Sequence, residues 1–87
     1  MDENFQTSVY LSVIIQNRQR ILLQEELKAV TSYNERGIFD VLPEHANFIC
    51  LIKEFLMVHR KKGKVDQLKI ERGILKVQKN TVHIYLV

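Results

Sequence analysis

Cysteine, proline and glycine are scarce in this 87-residue sequence, and tryptophan does not occur at all. The single cysteine, Cys50, excludes an internal disulfide and fits a reducing compartment. It stands in the apolar run from Phe48 to Ile52, where a small, buried and chemically inert side chain is expected. No apolar run approaches membrane-spanning length, and the stretch from Met1 to Thr7 has acids but no signal-like apolar core. The sequence therefore reads as soluble and not secreted. There is no glycine-rich phosphate loop, no nucleophile beside an evident base and no carboxylate pair in an apolar setting, which argues against catalysis and against a nucleotide cofactor. His45, His59, His83 and Cys50 lack metal-ligand spacing, so no metal is expected either.

What is present suits one small folded unit. Apolar residues make up 46% of the chain and charged residues 26%, too apolar for disorder and polar enough for solubility. The expected domain is residues 1–87, with 1–7 as a flexible extension. The formal charge of +3 is mild. The basic run from Arg60 to Lys64 reads as a solvated hairpin tip that discourages edge pairing. A second reading makes Arg60, Lys61, Lys62, Lys64, Lys69 and Lys76 the contact surface of a small nucleic-acid-binding barrel. That reading lacks exposed aromatic platforms, since Phe39, Phe48 and Phe55 are better explained as core.

Apolar residues recur with a period of two. Leu11, Val13 and Ile15 share one face, as do Val82, Ile84 and Leu86, so both ends read as strands. Further candidates run over 20–23, 27–33, 39–42, 48–52, 55–60, 64–71 and 73–78, although 20–30 also has a helix-like composition. Turns are expected at Lys61-Lys62-Gly63, at Arg72-Gly73 and at Lys79-Asn80, where Asn tolerates the left-handed region. Many short strands with frequent turns argue an all-β sandwich or small barrel. Alternation collects Leu11, Val13, Val41, Leu42, Leu51, Leu68, Ile70, Leu75, Val77, Val82 and Ile84 into the core. Around the only proline, Arg36 to Ala46 must turn at Gly37, run extended through Phe39 and Val41, and turn again at Pro43. One side of this crossing element anchors, while Arg36, Asp40, Glu44 and His45 are presented.

These residues carry a resemblance. Gly37 through Ala46 with its Val-Leu-Pro-x-His-Ala core, Gly73-Ile74-Leu75-Lys76-Val77, and Asn80-Thr81-Val82-His83-Ile84 are similar to motifs of the amino-terminal domain of the ATP synthase epsilon chain. The order and spacing hold from about Leu11 to Val87. The chain departs from the family pattern where Asp40, Glu44 and Arg72 replace glycines, Tyr33 and Asn47 replace prolines, and Glu54 stands at a usual Pro-Gly turn. The resemblance implies a small sandwich of two packed, mainly antiparallel sheets. It further implies a non-catalytic central-stalk subunit of a rotary F-type ATPase, joining the gamma shaft to the c-subunit ring during proton-driven ATP synthesis. The expected setting is a peripheral complex on the cytoplasmic side of a bacterial membrane, with no nucleic-acid partner. Arg36, Gly37, Ile38, Glu44 and His45 carry over as the side facing the rotor ring. The family's C-terminal helical hairpin has no counterpart before Val87, and its inhibitory and nucleotide-sensing roles are expected to be missing with it.

Overall fold

The computed structural model describes residues 9–87, and every regular element in it is a strand. The extension expected at residues 1–7 lies outside the described residues. The strands are β1 (Leu11–Gln16), β2 (Ile21–Leu27), β3 (Ala29–Asn34), β4 (Gly37–Val41), β5 (Phe48–His59), β6 (Val65–Gln78) and β7 (Thr81–Leu86). They form a seven-stranded sheet in the order β2-β1-β7-β6-β5-β3-β4, antiparallel throughout except for the β1–β7 pair.

A flat sheet in this order would hold β1 and β3 about 19 Å apart, four strand spacings. Yet Leu11 and Val13 of β1 share one buried cluster with Val30 of β3 and Val41 of β4. The sheet therefore folds over on itself. The long strands β5 and β6 run through both layers, β7 pairing only with Gly73–Gln78 and β3 only with the far half of β5. The result is a β-sandwich made from one continuous sheet, and the fold class expected from the periodicity holds.

The crossing is made by a bulge. Lys53 pairs with Arg72 and Glu54 with Ile70, leaving Glu71 as the extra residue. That residue shifts the phase of β6: Ile70 packs on the core before it, and Leu75 and Val77 are buried after it. Glu54 takes φ +78 at this point, where the family commonly has a Pro-Gly turn. The separate strands expected over 48–52 and 55–60, and over 64–71 and 73–78, are thus continuous, and Arg72-Gly73 is not a turn. Gly73 is required for a different reason: a Cβ there would lie 2.5 Å from the Tyr85 carbonyl oxygen of β7.

Among the expected core residues Leu11, Val13, Val41, Leu75, Val77, Val82 and Ile84 are buried, and Ile70 is half-buried against them. Leu42, Leu51 and Leu68 are corrections. Leu42 lies beyond the end of β4, beside Pro43. Leu51 alternates with the inward Cys50 and Ile52 and so faces out, 70% exposed. Leu68 pairs with the buried Leu56, but this half of β6 is a free edge, and Leu68 lines an open apolar cleft of about 350 Å³ with Leu22 and Leu23. Phe39 and Phe48 pack on the core as expected. Phe55 instead faces out beside Tyr33, ring centroids 6.3 Å apart. Cys50 is half-buried rather than buried, and burial pushes its thiol above its ordinary pKa, opposed by a hydrogen bond with Asn34.

Candidate partner-binding surface

The residues expected to face a partner fall at the two ends of β4, which at five residues separates them by about 16 Å. Arg36, Gly37 and Ile38 form the β3–β4 hairpin. Asn34 Oδ1 accepts from the Arg36 amide at 2.8 Å, fixing the turn, and Gly37 sits at φ +114, a region closed to most side chains. Ile38 is 68% exposed on this short edge strand.

Glu44 and His45 occupy the β4–β5 loop at the opposite end. Glu44 takes φ +68, the conformation for which the family pattern has glycine, and its cost is offset across the loop. The Glu44 amide donates to Asn80 Oδ1 at 2.7 Å, and Asn80 Nδ2 donates to Glu44 Oε2 at 3.0 Å. Asn47 Oδ1 accepts from the Lys79 amide at 2.8 Å. Lys79 and Asn80 themselves have φ +50 and +38, the two-residue turn expected between β6 and β7. Two loops distant in sequence are thereby clamped into one surface. His45 lays its ring on Phe48, centroids 4.9 Å apart, with Nδ1 2.8 Å from the Ala46 carbonyl, and it remains exposed.

The other histidines are engaged by neighbouring side chains. Thr31 donates its hydroxyl to Asp40 at 2.5 Å, so His59 Nε2 donates to Thr31 at 2.8 Å, a polar chain across β4, β3 and β5. His83 Nε2 donates to Gln16 Oε1 at 2.6 Å, and Tyr85 stacks on its ring at 4.2 Å. Among the described residues no group of three His, Cys, Asp or Glu side chains could hold a metal ion.

The basic hairpin closes as expected, with Gly63 at φ +92 and mutual backbone bonds between Arg60 and its neighbours. Its charge is largely met by acids. Arg60 binds Glu25 at 2.7 Å and Asp66 at 2.6 Å, and Lys61 binds Glu26 at 2.8 Å. These bonds hold Asp66 below its ordinary pKa and raise Arg60 and Lys61. Lys76 stands near the far end of β6, away from this hairpin. Of the cations expected at a nucleic-acid surface, Arg60, Lys61 and Lys64 are thus paired with acids and Lys76 stands apart from them.

One surface escaped the periodicity. On the outward face of β5, β6 and β7, Leu51 pairs with Ile74 and Ile74 with Tyr85, while Ile49 pairs with Lys76 in the next row and Lys53 with Arg72 in the row beyond. Ile49 is 65%, Ile74 40% and Tyr85 44% exposed. The signal was the unbroken apolar run from Phe48 to Ile52, too apolar for a strand with one wet face.

Known proteins share this architecture. Residues 10–86 match the family described as ATP synthase, Delta/Epsilon chain, beta-sandwich domain. The chain is 28% identical over 74 residues to an ATP synthase epsilon chain of Leptospira borgpetersenii, covering 85% of this chain and 58% of that one. It is 30% identical over 63 residues to the epsilon chain of Geobacter sulfurreducens, covering 72% and 46%. The chain thus spans about half the length of these relatives. A chain in the Euglena gracilis mitochondrial ATP synthase, solved as an OSCP/F1/c-ring assembly, superposes with a TM-score of 0.88 at 24% identity, covering 97% of this chain and 54% of that one. One in the central stalk and c-ring of the Tetrahymena thermophila enzyme gives 0.77 at 12%, covering 95% and 66%. At these identities the structural likeness concerns the fold, whereas the family match over nearly every described residue goes further: this chain belongs to the ATP synthase delta/epsilon family, as its β-sandwich domain.

Proposed function

We propose that the chain is a non-catalytic central-stalk subunit of a rotary F-type ATP synthase, coupling the gamma shaft to the ring of c subunits on the cytoplasmic side of the membrane. The family match over residues 10–86 carries this reading. The geometry is in keeping with it, since an adaptor needs loops held rigidly enough to transmit torque. The Glu44–Asn80 and Asn47–Lys79 contacts supply that rigidity at one end of β4. Arg36, Gly37, Ile38, Glu44 and His45 are the ring-facing set. Burying Ile38 against the ring would contribute about 1.5–3 kcal/mol, while Arg36 and Glu44 tune rate and specificity.

The domain works as one unit, 1–87, and contributes no group to phosphoryl transfer. An affinity-tagged chain expressed in its own cells and extracted in mild detergent should bring down both gamma and c subunits. Recovery of the folded chain without either would contradict the proposal.

A further inference from the structure

We propose that Asn80 and Asn47 are positioning residues: they set where His45 stands, and through it how firmly the chain holds the rotor ring. The inference rests on the central-stalk reading and gives the β6–β7 turn a part in that contact. The loop between β4 and β5 does little to fix itself. Its backbone supplies one internal bond among the described residues, from the His45 amide to the Leu42 carbonyl at 3.2 Å, and Pro43 has no amide to add. The His45 ring reaches only as far as the neighbouring Ala46 carbonyl and the Phe48 ring.

Support comes from the turn instead. Asn80 holds Glu44 by amide and by carboxylate, and the Lys79 amide holds Asn47, so the loop is pinned on both sides of His45. The turn is itself anchored, because the Asn80 carbonyl accepts from the Ser12 amide of β1 at 2.8 Å and Gln78 pairs with Thr81 across its base. A line of contacts thus runs from the sheet through Asn80 to Glu44. Glu44 stands at φ +68, from which a non-glycine residue relaxes readily to negative φ. A bond on its amide and another on its side chain oppose that relaxation. His45 is the next residue along, and a change of φ at Glu44 would carry its ring off Phe48.

The test uses the full chain, alone and in the assembled ATP synthase. Asn80→Asp keeps a residue that tolerates the left-handed turn and keeps the acceptor for the Glu44 amide, but it sets carboxylate against carboxylate where the 3.0 Å bond stood. Adding Glu44→Gln restores that bond with donor and acceptor exchanged. At one fixed pH, Asn80→Asp should shift the His45 ring protons away from their Phe48-shielded resonances, and the enzyme carrying it should lose most of the c ring on purification in mild detergent. Asn80→Asp with Glu44→Gln should return the resonances and hold the ring as well as Glu44→Gln alone. Asn47→Ala, which removes the acceptor for the Lys79 amide without adding a charge, should act in the same direction as Asn80→Asp. A ring retained in full by Asn80→Asp, although His45 has moved, would overturn the inference and leave the central-stalk reading standing. Unmoved His45 resonances would overturn it too, as would a loss of the strand spectrum in circular dichroism that Glu44→Gln does not cure, which would make Asn80 a folding residue. An unaltered chain that retains no ring would defeat the central-stalk reading, and this inference with it.

Discussion

Asn80 joins two loops with a single side chain, and its replacement separates backbone from side-chain effects. Asn80→Gly keeps the left-handed turn but loses both bonds to Glu44, which help to offset its φ of +68. A loss of about 1–2 kcal/mol in urea unfolding is expected, the worth of one or two such hydrogen bonds. Gly73 makes the converse case. Its φ is ordinary, so only space forbids a side chain, and Gly73→Ala should cost about 1–3 kcal/mol by pushing β7 off β6. A stability equal to that of the unaltered chain would mean the strands separate freely at that point. Asp66 gives a pH dependence. The Arg60 bond lowers its carboxyl below its ordinary 3.8, so its stabilisation is present above that value and lost as pH falls through the lower folded value. NMR titration of the Asp66 carboxyl should show the depression, and Arg60→Ala should largely remove it.

At the scale of strands, the alternation of β7 makes the sharpest demand. Val82 and Ile84 are fully buried, and Val82→Asp or Ile84→Asp should abolish cooperative unfolding, since the core offers an unpaired carboxylate no partner. A soluble, fully cooperative variant would show the facing of β7 to be wrong. The sequence makes this strand legible because both its faces obey one rule, as do β1 and the hairpins at Gly63 and Asn80. It is less informative at β5 and β6. There a phase change at Glu71 looks like a break between strands, and the bulge that absorbs it depends on pairing with Lys53 and Glu54, which lie far away in sequence. Leu51 misleads for a related reason. In a run as apolar as Phe48 to Ile52 both faces are hydrophobic, and only the register with Ile74 decides that Cys50 and Ile52 point inward. The presented loop was legible as residues but not as geometry, because no local signal says that β4 divides Ile38 from His45.

For the whole molecule, the two ends of β4, the acid-paired hairpin, which the register sets near the C-terminal end of β4, and the apolar outer face are carried on one sandwich. A body so arranged suits an adaptor between larger parts better than a binder of nucleic acid, whose cations should be gathered and unpaired. We propose that the ends of β4 face the rotor ring. It is tested most directly by co-purifying Ile38→Asp and His45→Ala variants with the assembled ATP synthase, alongside circular dichroism of each isolated chain. Both variants should keep the strand spectrum of the unaltered chain while losing most of the ring from the purified complex. If both retain the ring in full while Lys61→Ala with Lys62→Ala releases it, the contact belongs to the basic hairpin and the assignment of β4 is wrong.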